Sequence, residues 1–227
     1  MLESLQGFFA QYGQLLWTET WNTLIMVGVS TVFAYLIGLP LGVLLNITQP
    51  GGIWPHRGFN AVVGWIVNLG RSLPFLILMV MLLDVTKVIM GTKIGIRGAV
   101  FPLIVSAAPF VARMVETSLA EVDGGVIEAA QSMGCTVRQI VFKVLLPEAM
   151  PSLMLGGSIS MVTILAYTAI AGTVGAGGLG DLAIRYGYNR KVASMMWATV
   201  IIPIVLVQVI QMVFSFLARA IDRRIRL

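Results

Sequence analysis

Three stretches of this chain are apolar, carry no charged residue and are long enough to cross a lipid bilayer: 24–47, 151–172 and 192–218. A membrane-spanning helix needs about 20 mostly apolar residues, and a soluble domain with such stretches would expose too much apolar surface. Hydrophobic residues make up 58% of the chain and charged residues 11%, whereas a soluble domain carries about 25% charged residues. The sequence therefore predicts an all-α integral membrane protein.

Two further stretches are long enough to span a membrane but contain charges. Residues 59–83 include Arg71, and residues 98–119 carry Arg113 and Glu116 near their end. Together with the three uncharged stretches, they predict five transmembrane helices.

The two ends of the chain differ in charge, and this difference predicts the orientation. Four arginines lie near the C-terminus, whereas the first 20 residues contain no Lys or Arg; the arginines are Arg219, Arg223, Arg224 and Arg226. Because basic flanks stay in the cytoplasm, we predict a cytoplasmic tail, 219–227, and an extracytoplasmic N-terminal segment, 1–19. The membrane domain then covers residues 20–218, and the loop at 120–150 is cytoplasmic.

Composition excludes several kinds of chemistry. One cysteine, Cys135, and one histidine, His56, provide neither a disulfide, nor a metal-ligand cluster, nor a Cys/His nucleophile pair. The sequence contains no Gly-Lys pair and therefore no P-loop. We expect no catalytic residue, no metal and no cofactor in this chain. A net charge of +5 on a membrane protein reflects orientation and lipid headgroups and not nucleic acid.

A polar segment with helical periodicity lies inside the loop at 120–150. Its apolar residues recur at helical spacing and are Val126, Ala130, Met133 and Val137. This pattern predicts an amphipathic helix of about three turns, with Gly134 ending it or letting another backbone approach.

A second amphipathic run follows at 137–146. We expect Pro147 to stop it, because proline removes a backbone amide, and Pro151 to open the next span.

The polar segment has two interpretations. Amphipathic linkers on lipid headgroups are common, but their polar face is usually rich in Lys and Arg, and the first helix has neither. The alternative is a docking helix that enters a groove on a cytoplasmic partner.

Short motifs throughout the chain resemble those of ABC importer permeases. Glu128-Ala129-Ala130, then Gly134 after three residues, then Leu146-Pro147, are similar to the EAA loop of that family. Four segments look most like the methionine-importing members: RSLPFLIL at 71–78, AAPFVARMVE at 107–116, EAAQSMG through KVLLPEAMP at 128–151, and VGAGGLG at 174–180.

The resemblance implies a type I importer fold in the bacterial inner membrane, with five spans per chain and a homodimeric permease. It implies two ABC ATPase subunits, which would hold the ATP and Mg, and an extracytoplasmic methionine-binding lipoprotein. The EAA loop would be the coupling helix that inserts into the ATPase. Its contact residues would be Glu128, Ala129, Ala130, Met133 and Gly134. Methionine would cross the membrane by alternating access.

Polar residues inside predicted spans are candidates for a translocation path or gate. Arg71 is accompanied by Ser72 and Pro74, which would bend the helix and free carbonyls that Arg71 or Ser72 could satisfy. Arg71 either serves only this broken helix, or pairs with Glu116 or Asp84, or takes part in gating or in the dimer interface.

The fourth span adds Met161, Thr163 and Tyr167 to these candidates. Such a weakly polar path suits a small, largely apolar zwitterion that passes without being held. Selectivity would then reside mostly in the external binding protein.

The segment VGAGGLG formally satisfies GxGxxG, but it follows a predicted membrane span and not a strand, so we reject nucleotide binding. We expect a close-packed turn at the outer end of the fourth span. By the resemblance, it would line the outer gate or face the binding protein through Gly175, Gly177, Gly178 and Gly180.

Three other functions are alternatives to methionine import. A permease for another small amino acid would share all these features. A self-contained secondary transporter would require internal repeats and intramembrane ion ligands, of which the sequence gives no clear sign. An intramembrane enzyme would require a base or metal ligands at depth, whereas His56 lies in the first predicted cytoplasmic loop.

Overall fold

The computed structural model describes residues 2–222, and within them all regular structure is helical. The helices are α1 Leu2–Thr48, α2 Arg57–Ser72, α3 Phe75–Met81, α4 Leu83–Met90, α5 Gly95–Ala120, α6 Gly124–Ser132, α7 Val137–Ile140, α8 Leu146–Thr173, α9 Gly178–Leu182 and α10 Ala193–Ile221. Two π-helical segments, Val141–Leu145 and Ala183–Tyr188, follow α7 and α9.

Four helical stretches are long and apolar enough to cross a membrane: Gly7–Thr48, Gly95–Ala120, Val137–Thr173 and Ala193–Ile221. The broken pair α2 and α3 is a fifth candidate. The predicted fold class, an all-α membrane protein with five spans, agrees with this arrangement when the pair counts as one span.

The first helix is longer than predicted. Residues 2–19 belong to α1 and do not form a separate segment before the span. Three threonine hydroxyls in this part of α1, those of Thr18, Thr20 and Thr23, donate to carbonyls four residues back, at Gln14, Leu16 and Glu19. Such bonds let polar side chains remain within a helix. At the other end, Arg219 lies in α10, whereas Arg223, Arg224 and Arg226 lie outside the described residues.

The predicted bend at Pro74 is a complete break. The helix α2 ends at Ser72, Leu73 is extended with ψ 123°, and α3 begins at Phe75. Proline disfavours helical geometry in the residue before it, which accounts for the extended Leu73.

The fourth span begins earlier than predicted. Helical structure runs without interruption through Val137–Thr173, so the prediction that Pro147 stops a helix is wrong, as is the prediction that Pro151 opens one. In the π-helical segment the Leu146 amide donates to the Val141 carbonyl, five residues back. This change of register lies directly before Pro147, whose missing amide would otherwise break the α-helical ladder.

Contacts divide the chain into two compact units. The first contains Met1–Val32, Pro74–Val105 and Met161–Val209. Part of its core is formed by Leu16, Leu182 and Met195.

The second unit contains Phe33–Leu73, Ser106–Ser160 and Ile210–Leu227. Here α1 and α5 pack through small residues: a Cβ on Gly42 would lie 2.5 Å from the Ala112 carbonyl oxygen and 2.6 Å from Val115 Cβ. This is the small-xxx-small packing of membrane helices.

Candidate functional site

The helix α6 is the centre of the predicted coupling segment, and side chains and backbone close both of its ends. Asp123 is its N-cap, and the Asp123 Oδ1 accepts a hydrogen bond of 2.7 Å from the Gly125 amide. This bond satisfies one of the donors that a helix N-terminus leaves free.

The C-terminus of α6 ends at the predicted glycine. Gly134 has φ +76°, its amide donates to the Gln131 carbonyl, and the Cys135 amide donates to the Ala130 carbonyl at 3.1 Å. These two bonds and the left-handed residue constitute a Schellman motif. The helix is therefore shorter than predicted and ends at Ser132.

The surface of α6 differs from the predicted pattern. Ala130 is buried, but Val126 is 42% exposed and Met133 is 76% exposed. Of the apolar positions that the helical spacing groups together, Ala130 is therefore buried within this chain, whereas Val126 and Met133 lie at its surface. Because the turn at Gly134 ends the helix, Val137 belongs to the next one, and the half-buried Ile127 pairs with Ala130 on the inner face.

The predicted coupling residues lie together at this helix. Glu128, Ala129, Met133 and Gly134 are exposed, and only Ala130 is buried. An exposed small residue beside an exposed methionine is suited to a groove on another protein, because exposed apolar side chains often mark protein interfaces.

A cavity of about 250 Å³ lies along one side of α6. Glu128 and Gln131 line it from the helix, and Asn46 and Gln49 line it from the region where α1 ends. Glu128 therefore faces a polar recess of the same unit as well as the surface.

A capping box connects the coupling segment to the fourth span. The Thr136 amide donates to Gln139 Oε1 at 2.8 Å, and the Gln139 amide donates to Thr136 Oγ1 at 3.4 Å. Such reciprocal bonds fix a helix N-terminus, so the turn after Gly134 leads directly into α7 and α8.

A charged cluster lies between α2 and α5 in the second unit. Arg113 Nη1 donates to Glu116 Oε2 at 2.6 Å, and Arg113 Nη2 donates to Asn68 Oδ1 at 2.8 Å. Arg71 is close enough to attract the same carboxylate. Asp84, in the first unit, pairs with Lys93. The partner of Glu116 is thus Arg113, and Arg71 is an exposed neighbour of the pair.

Ser72 donates to a carbonyl within α2 and not to one that Pro74 leaves free. Its hydroxyl donates to the Asn68 carbonyl at 2.8 Å. Asn68 therefore accepts one hydrogen bond at its backbone carbonyl and one at its side chain. The only signal for this role in the sequence was a polar residue near Arg71.

The remaining path candidates, Pro74, Met161, Thr163 and Tyr167, lie in the first unit. The Tyr167 ring stacks on Phe75 with centroids 4.6 Å apart and an interplanar angle of 8°. Phe75 is the first residue after the break at Pro74 and is buried. The fourth-span candidate thus contacts the helix that starts at the break.

The glycine-rich segment is a close-packed turn, as predicted. Gly175, Gly177 and Gly178 all have positive φ, which favours glycine. The Gly95 amide donates to the Gly175 carbonyl at 2.8 Å. A Cβ on Gly180 would collide with the backbone of Ala169, so α9 lies directly against α8.

Two residues that the sequence did not single out hold this turn in place. Glu19 Oε2 accepts from the Gly178 amide at 2.6 Å, and Thr23 Oγ1 accepts from the Leu179 amide at 2.9 Å. Both side chains project from α1. The one available signal was a lone carboxylate, Glu19, immediately before an apolar run.

Gly178→Ala is expected to destabilise the protein more than Gly175→Ala. Both positions have positive φ, so a side chain costs about 1 kcal/mol at either. At Gly178 the new Cβ would also lie 2.7 Å from Thr23 Oγ1, whereas at Gly175 its nearest neighbour is 3.9 Å away. Overpacking should add about 2 kcal/mol. The measurement is thermal unfolding of the purified protein in detergent, and equal losses of stability in the two variants would contradict this prediction.

Comparisons with known proteins cover nearly the whole chain. The family model described as binding-protein-dependent transport system inner membrane component matches residues 34–227. A probable D-methionine transport system permease protein MetI from Vibrio cholerae is 49% identical over 221 residues, or 97% of this chain and 98% of that protein. The methionine import system permease protein MetP from Bacillus subtilis is 43% identical over 209 residues, or 92% and 94%.

Solved structures show the same arrangement of helices. A chain of the MetNI methionine ABC transporter, in an inward-facing conformation, matches with a TM-score of 0.92 and 46% identity over 94% of this chain and 99% of that chain. A chain of an amino acid ABC transporter with histidines matches with a TM-score of 0.70 at 21% identity, over 95% and 96%, and shares the fold.

Proposed function

Because the chain belongs to the family of binding-protein-dependent transport system inner membrane components, we propose that it is the membrane-spanning permease of an ATP-driven importer that carries methionine into the cytoplasm. The observation that carries this proposal is α6, a short helix that is capped at both ends and exposes Ala129 and Met133. The methionine transport permeases that align over nearly the whole chain support the substrate.

The assembly that we propose contains two copies of this chain, two ABC ATPase subunits and an extracytoplasmic methionine-binding lipoprotein. ATP and Mg bind the ATPase subunits, so this chain itself does no chemistry. The N-terminus lies outside the cytoplasm and the C-terminus inside, which places α6 on the ATPase side.

Coupling relies on α6 moving as one body. The Asp123 cap and the Schellman turn at Gly134 hold its two ends, and the Thr136 capping box leads into the fourth span. When the ATPase subunits close, the motion of α6 is passed to α8 through this short connection. Each nucleotide state favours one of two permease conformations, which is the general logic of coupled equilibria.

The translocation path is weakly polar. Met161, Thr163 and Tyr167 are partly buried on α8, and Tyr167 stacks on Phe75 beside the helix break. Such a lining lets a small apolar amino acid pass without binding it tightly, so the external binding protein selects the substrate.

ATP hydrolysis by the reconstituted complex is expected to rise several-fold when the methionine-loaded binding protein is added. When the binding protein is omitted, or is loaded with another amino acid, the rate of ATP hydrolysis should remain at its basal value. The reason is that the loaded protein favours the conformation in which the ATPase subunits are closed. Stimulation that did not depend on the binding protein would refute the proposal. If the binding protein stimulated hydrolysis only when loaded with a different amino acid, that amino acid, and not methionine, would be the substrate.

A further inference from the structure

An apolar groove of the second unit, about 700 Å³ in volume, takes no part in the function proposed above. One wall is α1, through residues from Leu39 to Ile47, and the other is the stretch from Val137 to Leu146. Nine of its eleven lining residues are aliphatic or aromatic side chains without charge, in addition to Pro40 and Arg138: Leu39, Val43, Leu44, Ile47, Trp54, Val137, Val141, Phe142 and Leu146.

The two ends of the groove differ in polarity. Trp54 lies where α1 ends, because its amide donates to the Ile47 carbonyl at 2.9 Å. Arg138 lines the groove from the other wall, near the start of α7. Leu39, about two turns before Ile47 on α1, lies toward the other end of that wall. Tryptophan and arginine are typical of the membrane interface, whereas the aliphatic end matches the hydrocarbon region.

The groove is as long as a substantial part of a lipid tail. From Leu39 to Ile47, α1 rises roughly 12 Å at about 1.5 Å per residue. Leu36, which lies on α1 just before the groove, is 63% exposed, as is Phe142 within the groove. The apolar surface therefore continues beyond the groove, as expected where a helix faces lipid.

The charge around the groove has one sign. Residues 39–57 and 137–146 contain three cations, Arg57, Arg138 and Lys143, and no carboxylate. Among residues 2–222, Arg138 has no ion-pair partner. An unpaired guanidinium at the headgroup level is complementary to a phosphate, which it can bind through two parallel hydrogen bonds.

We propose that this groove binds an anionic phospholipid, with an acyl chain along α1 and the headgroup phosphate at Arg138. The wall that carries Arg138 begins directly after the turn at Gly134, so a bound lipid braces the connection between α6 and the fourth span. The proposal does not depend on methionine as the substrate. It rests on the proposed orientation only for the leaflet, which is the cytoplasmic one.

The test is native mass spectrometry of the full complex titrated with phosphatidylglycerol and, in parallel, with phosphatidylethanolamine of the same acyl chains. The wild-type complex is expected to retain phosphatidylglycerol more tightly. Arg138→Gln should weaken phosphatidylglycerol binding about fivefold. It should weaken phosphatidylethanolamine binding less, because the ammonium of that headgroup already compensates the charge of its phosphate, and the remaining phosphatidylethanolamine binding also reports an intact fold. Val43→Trp, which fills the groove, should weaken the binding of both lipids.

Lys143→Gln is the matched control, because it removes the same charge from the π-helical segment but does not line the groove. It should change phosphatidylglycerol binding less than twofold. Equal losses in Arg138→Gln and Lys143→Gln would overturn the proposal in favour of general surface charge. Equal affinity of the wild-type complex for both lipids would also overturn it. So would binding by the isolated permease but not by the complex, because the groove would then be covered by a protein subunit. All these lipid-binding measurements are made without methionine, so their outcome does not depend on whether the protein imports methionine.

Discussion

Met133→Glu is expected to reduce ATP-driven uptake by at least about tenfold, with normal amounts of permease in the membrane. Met133 is 76% exposed at the end of α6, so its replacement leaves no cavity in the chain. If it anchors α6 in the ATPase, its loss costs about 2 kcal/mol or more of binding free energy, which is roughly a thirtyfold loss of affinity. The carboxylate would in addition be buried without a partner. The measurements are uptake and binding-protein-stimulated ATP hydrolysis.

Glu128→Arg examines the polar side of the same helix and should have a similar effect. Its matched control is Glu121→Arg, which makes the same charge change at an exposed carboxylate before α6 begins. The control is expected to retain most of the activity. If both reversals abolish transport equally, net charge in the loop is the cause and the role of Glu128 is refuted. Normal transport by Met133→Glu would show that Met133 does not contribute to the interface between α6 and the ATPase.

Glu116→Ala is expected to lower the free energy of unfolding by about 3 kcal/mol, because it leaves Arg113 partly buried without its carboxylate. The two side chains are 17% and 29% exposed, so water screens the pair only in part. Replacing both residues by methionine should recover most of the loss, since an apolar pair is often as stable as a buried ion pair. Unfolding in detergent is the measurement.

Asp181→Ala provides the comparison for this experiment. Asp181 pairs with Arg185 at 2.7 Å, but that arginine is 47% exposed, and ion pairs near the surface contribute about 0–1 kcal/mol. If Asp181→Ala and Glu116→Ala lowered the free energy of unfolding equally, burial would not make the Arg113–Glu116 pair more stabilising than an exposed ion pair. If the double methionine variant did not recover the lost free energy of unfolding, the two charges would be needed for interactions beyond the pair itself.

The features that the sequence predicted correctly depend on local chemistry. Long apolar runs gave the spans, and Gly134 gave the end of α6, because only glycine takes a left-handed conformation without strain. The predicted break near Pro74 follows from proline alone. The resemblance to ABC importer permeases, read from EAA and the motifs around it, is confirmed by the family match and by the structural similarity.

The features that the sequence missed depend on tertiary contacts. Periodicity did not show which apolar residues of α6 are buried and which are exposed, because helical spacing cannot show where the neighbouring elements lie. The sequence could not reveal that the Glu19 carboxylate accepts a hydrogen bond from the Gly178 amide, since the two residues are 159 positions apart. The π-helical segment before Pro147 was also hidden, because a proline in a sequence does not show that the register of the preceding helix has changed. The hydrogen bond from Arg113 to Asn68 could not be predicted either, because it depends on how α2 lies beside α5.

The most direct measurement is the uptake of labelled methionine by proteoliposomes that contain this chain, its ATPase and its binding protein, with ATP enclosed on the ATPase side. The account predicts accumulation that requires both ATP and the binding protein, and that is unaffected when ion gradients are collapsed. Uptake without ATP, driven by a proton or sodium gradient, would contradict it and would favour a self-contained secondary transporter.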